Sequence, residues 1–282
     1  MATAEATGKK ADTAEKVVKN TWVEPLARVG YLARGVVYIL VGALALMVAL
    51  GLRGATKDKT GALATIAGSE AGRYLLVALA IGLAGYSLWG IVRAIFDPMR
   101  KGTSPRGLAE RAGFVVSAMS YGALILPALR LAMGNGTSDD QSAEQGTAWL
   151  LAQPLGHWLV IAAGLIGMAG GAGQLWAGIT ARFKKDFRPG MDKHEHDWAV
   201  RFGQLGYIAR GVVFAMTGFF LVRAALTFNA QEAQGLDETL ATLARQPYGT
   251  VLLGAVALGL ISFGIYSILC MRWVQVVKPK ED

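Results

Sequence analysis

The chain has 282 residues, enough for two soluble domains, but 53% of them are hydrophobic and only 17% are charged. With a mean hydropathy of +0.39, this composition excludes an ordinary soluble protein and indicates an integral membrane protein. The net charge of +8 occurs without any nucleic-acid-binding motif, so the basic residues are expected in loops that face anionic lipid, and no nucleic-acid partner is predicted.

Six segments carry no charge, or one at most, over a length that can cross the apolar core of a membrane, which takes about 20 residues. They cover 35–52, 74–92, 112–129, 155–181, 202–222 and 246–271. The first helix is expected to begin near Arg28 and to include Arg34, and Arg210 alone interrupts the fifth segment. Pro127 predicts a kink in the third helix. The predicted fold is therefore all-α, a polytopic membrane protein with six transmembrane helices.

Lysine and arginine are divided unevenly between the two sides of such a protein. Nineteen of the 28 lie in the termini and near the loops 93–111 and 182–201, and seven lie on the other side. Because cytoplasmic loops are enriched in these residues, both termini are predicted to be cytoplasmic. Residues 1–23 contain no apolar segment of the kind that a cleavable signal peptide has. They are interpreted as a cytoplasmic tail, as are residues 277–282.

Internal repetition divides the chain further. Segment 30–38 reads GYLARGVVY and segment 206–214 reads GYIARGVVF, so that seven of nine positions are identical. A weaker copy at 111–121 keeps the Gly-aromatic pair but has Ser117 in place of the arginine. Three two-helix repeats that point the same way follow from this pattern, and they allow a bundle with a pseudo-threefold axis. The repeats cover 24–100, 107–188 and 198–276.

The arrangement resembles a family of bacterial membrane proteins of unknown function, in which three tandem two-helix repeats each open with a Gly-aromatic-x-x-Arg-Gly motif. The resemblance covers roughly residues 24–276. It implies a multi-pass protein of the bacterial cytoplasmic membrane, and it implies no activity. The middle repeat departs from the motif, since Ser117 and Ala118 replace the Arg-Gly step. A role that needs three equivalent arginines is therefore not supported by the motif.

The glycines of the repeated motif are assigned to helix packing, because a helix surface without side chains lets a neighbouring backbone approach closely. They are Gly30, Gly35, Gly42, Gly206, Gly211 and Gly218.

Arg34 and Arg210 are charged residues inside predicted spans, where a charge is costly and indicates a functional site. One interpretation is structural: the side chains snorkel to the headgroups or pair with a helix-end acid such as Asp97 or Glu110. A second is that they bind an anionic lipid headgroup or another anionic ligand. A third is a role in transport. The motif tyrosines beside the arginines complete the candidate contact site, and they are Tyr31 and Tyr207.

Other chemistry finds little support in the sequence. All acidic residues lie in tails, loops or helix ends, and no histidine is deep enough to activate the serines within the spans, which are expected to hydrogen-bond between helices. The stretch 192–197, Asp-Lys-His-Glu-His-Asp, is interpreted as a solvated loop and not as a metal site. No catalytic residue, cofactor or metal is predicted, and the protein is not expected to be an enzyme.

Two classes of function remain. The first is a non-catalytic membrane component, involved in membrane assembly, lipid interaction or stress, whose arginines grip anionic lipid. The second is an uncoupled channel or facilitator for a small or anionic solute, with arginines at its inner mouth. If Arg34, Ser117 and Arg210 converge on a water-filled axis, the second is favoured, and sealed positions favour the first. The expected partner is the lipid bilayer, while a protein partner or a homo-oligomer is left open.

Overall fold

A computed structural model describes residues 23–51, 70–97, 102–123, 125–134, 142–188 and 190–273. The two predicted tails lie outside these residues, except for Val23 of the N-terminal tail. Residues 61–67, which connect the first two predicted spans, lie outside them as well. The described chain is all-helical, as predicted. Its helices are α1 (Val23–Ala49), α2 (Glu70–Phe96), α3 (Pro105–Gly122), α4 (Ile125–Ala132), α5 (Ser142–Leu151), α6 (Gly156–Thr180), α7 (Lys193–Leu226), α8 (Leu236–Ala244) and α9 (Gly249–Trp273).

Five helices of the described chain are long and apolar enough to cross a membrane, namely α1, α2, α6, α7 and α9. The third predicted span, 112–129, is instead formed by α3 and α4 in series. Pro127, the third residue of α4, has no backbone N–H to donate to the carbonyl four residues earlier. Between Gly122, where α3 ends, and Ile125, where α4 begins, the chain is not fully described. The kink expected at Pro127 and the count of six spans remain predictions.

The pairwise contacts between the helices follow the order of the repeats. Within repeats 1 and 3, α1 packs against α2 and α7 against α9. Between repeats, the second helix of one packs against the first helix of the next: α2 against α3 and α4, α6 against α7, and α9 against α1. The contact of α9 with α1 joins the end of the chain to its beginning. The described contacts therefore run in one series from α3 and α4 through α2, α1, α9 and α7 to α6.

Equivalent side chains cap the helix ends at the three contacts between repeats. Each lies two residues before the glycine that opens a motif. Arg28 donates a hydrogen bond to the carbonyl of Met271 at 2.8 Å. Arg111 donates to the carbonyl of Ala94, also at 2.8 Å. In the third position, Gln204 donates to the carbonyl of Ile179 at 3.5 Å. A cation at a helix C-terminus is favourable because it complements the helix dipole. The arginine caps on α9 and α2 are therefore expected to stabilise their interfaces more than the glutamine cap on α6.

The contacts inside the repeats are not equivalent. A β-carbon on Gly30 would lie 2.7 Å from the Cα of Tyr86, and one on Gly206 would lie 2.5 Å from the Cα of Phe263. Glycine is required at both positions, since no side chain fits there. The corresponding Gly113 of repeat 2 has no described atom within 4 Å of such a β-carbon. Extended packing between α3 or α4 and α6 is likewise absent from the described residues.

Aromatic side chains cluster beyond the C-terminal end of α6, against α7 and α9. After α6, a 3-10 helix spans Arg182–Asp186, and its Phe183 is buried between α7 and α9. The Phe183 ring stacks on Tyr207 at 4.9 Å and meets Tyr266 edge-on at 5.1 Å. The stretch 192–197, expected to be a loop, is instead the start of α7, whose first turn is capped by Asp192 through the backbone N–H of His194.

Candidate functional site

Arg34 lies inside the bundle and not at its surface, with 6% of its residue surface exposed. Its Nε donates a hydrogen bond to Ser267 Oγ at 3.1 Å, and one terminal nitrogen donates to the hydroxyl of Tyr86. The carboxylates of Asp97 and Glu110, considered from the sequence, are not its partners. Snorkelling is also the wrong description, because the side chain turns toward neighbouring helices. Two hydroxyl groups therefore hold this guanidinium group between α2 and α9.

Aromatic rings enclose the same guanidinium group. Its central carbon lies 4.8 Å from the ring centroid of Tyr31 and 4.9 Å from those of Tyr86 and Phe263. A cation over an aromatic face is attracted to the ring quadrupole by about 2 kcal/mol where water is excluded. These rings replace part of the hydration that Arg34 loses by burial.

Arg210 occupies the equivalent place in repeat 3 and is equally buried, at 7% exposure. Its guanidinium carbon lies 4.2 Å from the Phe263 centroid, 5.0 Å from that of Phe214 and 5.1 Å from that of Tyr38. Its Nε has no hydrogen-bond partner among the described residues. Tyr207, grouped with Arg210 from the sequence, stacks instead on Phe183, whereas Tyr31 does contact Arg34.

A third buried arginine, Arg93 of α2, completes the cluster and was missed by sequence reasoning. It is 7% exposed, and its guanidinium carbon lies 4.3 Å from the ring centroid of Phe114 and 5.7 Å from those of Tyr86 and Trp89. Its position near a helix end led to its assignment to the inner loop. The spacing of four residues from Trp89, which puts both on one helix face, was the available signal.

The three arginines form one group, here called the arginine cluster: Arg34, Arg93 and Arg210 with the rings between them. Arg34 and Arg93 share the ring of Tyr86, while Arg34 and Arg210 share that of Phe263. Arg93 lies beside Phe114 of repeat 2, whose own motif has Ser117 where the other repeats have arginine. A cation from the neighbouring helix therefore takes the place of the missing third arginine.

The electrostatics of the arginine cluster are one-sided. In the described part of the chain, no aspartate or glutamate forms an ion pair with any of the three guanidinium groups. The Nε donors of Arg93 and Arg210 and the ring N–H of Trp89 are buried and find no acceptor among those residues. Buried donors and buried charges are costly unless they are paired. An anion that enters the cluster would supply both the acceptors and the opposite charge.

The motif glycines lie where helices of different repeats meet most closely. A β-carbon on Gly35 would be 2.8 Å from the carbonyl oxygen of Gly264, and one on Gly211 would be 2.9 Å from that of Gly171. Each of these positions is followed seven residues later, about two helical turns, by another close contact, at Gly42 and at Gly218. This proximity brings Arg34, one residue before Gly35, within reach of Ser267 on α9.

The serines inside the spans are occupied by backbone contacts. Ser87 Oγ donates to the carbonyl of Ala118 on α3 at 2.8 Å, so this one joins two helices as predicted. Ser120, Ser262 and Ser267 donate to carbonyls four residues earlier in their own helices, and for Ser120 and Ser262 this differs from the predicted contact between helices. Ser267 is the exception with a second role, since it also accepts from Arg34.

Comparison with known proteins agrees with the repeat structure. The sequence matches the family described as Domain of Unknown Function (DUF1206) three times in tandem, at residues 29–97, 112–181 and 205–272. It is also 40% identical over 252 residues to the uncharacterized protein YxxB of Bacillus subtilis (strain 168), an alignment that covers 88% of this chain and 90% of that protein. No solved structure matches the chain.

Proposed function

Since the chain belongs to the DUF1206 family, to which no activity is assigned, we propose a function from the arginine cluster: this is a non-catalytic membrane protein that binds an anionic phospholipid by its headgroup phosphate. The membrane proposed is the bacterial cytoplasmic membrane, with both termini on its inner side. The anionic contact proposed from the sequence for Arg34 and Arg210 is extended to Arg93.

The observation that carries this proposal is the set of buried donors without acceptors. Arg93, Arg210 and Trp89 each present an N–H group that no described residue accepts. Phosphate oxygens are strong acceptors, and charge-assisted hydrogen bonds to them are about twice as strong as neutral ones. One phosphate group would satisfy several of these donors and compensate part of the threefold positive charge.

The depth of the cluster suits a phospholipid headgroup. Arg93 lies three residues before Phe96, the end of α2, which corresponds to about 4.5 Å along a helix. Arg34 lies six residues after Arg28, or about 9 Å. Both distances are within the reach of a headgroup phosphate at the inner surface, which carries most of the lysines and arginines.

The enclosure of the guanidinium groups favours binding over permeation. Arg34 and Arg210 are held against aromatic rings and are almost fully buried, and Ser117, half-buried on α3, adds no charge to them. A water-filled passage would need exposed guanidinium groups along its wall. A catalytic role finds less support still, because Ser87, Ser120, Ser262 and Ser267 all donate to carbonyls.

The proposal is tested by the lipids that remain with the full-length protein after purification in a mild detergent. We expect anionic phospholipid to be enriched relative to the membrane of origin, and the double variant Arg34→Gln, Arg210→Gln to lose that enrichment. Arg201→Gln is the matched control, since it removes one exposed charge at the inner end. A folded double variant that retains as much anionic lipid as the wild type would overturn the proposal.

A further inference from the structure

We propose that the cleft between α3 and α6 holds the acyl chains of an anionic phospholipid, so that lipid reaches the arginine cluster sideways from the bilayer. This cleft is called the repeat-2 seam, and it is lined by Gly113, Phe114 and Ser117 of α3 and by Gly170 and Gly173 of α6. The inference rests on the proposed function and adds the place of entry.

The repeat-2 seam is identified by comparison with the other two repeats. Gly171 of α6 packs on the carbonyl of Gly211 in the same way as Gly264 of α9 packs on that of Gly35. Gly170 is therefore the counterpart of Phe263, the ring that covers Gly206 in repeat 3. In repeat 1, Tyr86 covers Gly30 in the same manner. Repeat 2 is the repeat in which glycine stands where the others have a sealing ring.

The missing rings leave room along α6. β-Carbons placed on Gly113, Gly170 and Gly173 would each have no described atom within 4 Å. Only 17% of the apolar stretch of α6 is buried, compared with 39% to 56% for the other four spanning helices. The cleft therefore has apolar, side-chain-poor walls along a membrane-spanning helix, and acyl chains are the apolar groups that surround such a helix in a bilayer.

A buried cation stands at the inner end of this cleft. Tyr31 and Tyr207, the counterparts of Phe114, pack edge-on against Tyr86 and Phe263 of the second helix in their own repeats. Phe114 therefore lies on the side of α3 that faces α6. The guanidinium group of Arg93 covers the ring of Phe114 at 4.3 Å, and its Nε has no described partner. Apolar walls that lead to a buried guanidinium group with one donor left unsatisfied match the two parts of an anionic phospholipid.

The positive charge of Arg93 determines which lipid fits the repeat-2 seam. The apolar helix of a second copy of the chain would fill the walls and leave the Nε donor of Arg93 without an acceptor. A zwitterionic lipid would supply phosphate oxygens but no net negative charge to offset the three arginines. Phosphatidylglycerol supplies both acyl chains and a phosphate with a net negative charge. The proposal therefore commits to this class of lipid.

The test uses full-length protein in nanodiscs of phosphatidylglycerol and phosphatidylcholine, with retained lipids counted by native mass spectrometry after release. Gly170→Phe supplies the ring that repeats 1 and 3 have, and we expect it to displace one phosphatidylglycerol per chain. Ala172→Phe is the matched control, because this exposed residue lies about 200° around α6 and adds the same ring outside the cleft. If a folded Gly170→Phe variant retains the lipid, the proposal that acyl chains occupy the repeat-2 seam is overturned.

A second measurement does not depend on the folding of any variant. Phosphatidylglycerol with a photoreactive acyl chain should crosslink the wild-type protein at 113–120 of α3 and 166–173 of α6. Crosslinks spread evenly over the outer faces of all helices would contradict the proposal. The two proposals fail separately: if Arg34→Gln with Arg210→Gln abolishes lipid retention while Gly170→Phe does not, the cluster binds lipid by another route.

Discussion

Arg34 donates a hydrogen bond from its Nε to Ser267 Oγ at 3.1 Å, which joins the first helix of repeat 1 to the second helix of repeat 3. The two residues are 233 positions apart. Through this bond, and through the cap that Arg28 provides for α9, the first and last spans of the chain are held together. The same bond fixes the guanidinium group among the rings of the arginine cluster.

The motif glycines should respond to alanine with opposite signs. In an unobstructed helix, glycine to alanine stabilises by about 1 kcal/mol, and Gly113→Ala is expected to do so because no described atom lies within 4 Å of the added β-carbon. Gly35→Ala and Gly211→Ala would push a β-carbon against carbonyl oxygens within 3 Å, and are expected to destabilise by about 1–3 kcal/mol. Thermal unfolding in one detergent compares the three, and equal effects at all three would refute the close packing.

An arginine in place of the glutamine that caps α6 is expected to increase the stability of the protein. Gln204→Arg would give α6 the cap that Arg111 gives α2 and should stabilise by about 0.3–1 kcal/mol, because a cation complements the helix dipole. The reverse change, Arg111→Gln, should cost a similar amount. Unfolding temperatures of the two variants against the wild type check this, and a loss of stability in both would show that the interfaces are not equivalent.

Removal of a buried charge should stabilise the lipid-free protein. Arg93→Met keeps much of the side-chain volume and removes a cation that lacks a described counter-ion, so we expect a gain of about 1–3 kcal/mol in detergent without lipid. With phosphatidylglycerol present, the free energy of unfolding of the wild type should rise to that of Arg93→Met. Lower stability of Arg93→Met in both conditions would mean that its rings alone compensate for the charge.

A measurement of topology shows whether α3 and α4 together cross the membrane. Six spans place both termini in the cytoplasm and the segment 134–148, which includes the start of α5, outside. Five spans place the termini on opposite sides. Reporter tags at each terminus and within 134–148 distinguish the two arrangements. We expect both terminal tags to report the cytoplasm, and a C-terminal tag outside would contradict the six-helix count.

The sequence predicted the all-helical fold and the three repeats because hydropathy and a nine-residue motif are properties of single segments. The division of the third segment into α3 and α4 was not predicted, since the effect of Pro127 on a helix depends on its neighbours. Arg34 and Arg210 were recognised because a charge within an apolar run is conspicuous. The hydrogen-bond partners of Arg34 were not, because Tyr86 and Ser267 lie on other helices and belong to no local pattern.

The non-equivalence of repeat 2 illustrates the limit more sharply. Ser117 could be recognised as a departure from the motif, but its consequence required knowledge of what faces it. Gly170 is unremarkable in a glycine-rich helix until it is aligned with Tyr86 and Phe263 through packing. Arg93 likewise became part of the site only when its guanidinium group was seen over Phe114.

Lipid-dependent stability tests the central claim, that the arginine cluster binds an anionic headgroup, most directly. A ligand that binds only the folded protein stabilises it by about 2.7 kcal/mol at 100 times its Kd. Phosphatidylglycerol should therefore raise the Tm of the delipidated wild type more than phosphatidylcholine does. The variant Arg34→Gln, Arg210→Gln should lose that difference, while the corresponding double lysine variant keeps part of it through charge. An equal phosphatidylglycerol-specific rise in Tm for the wild type and the glutamine variant would contradict the claim.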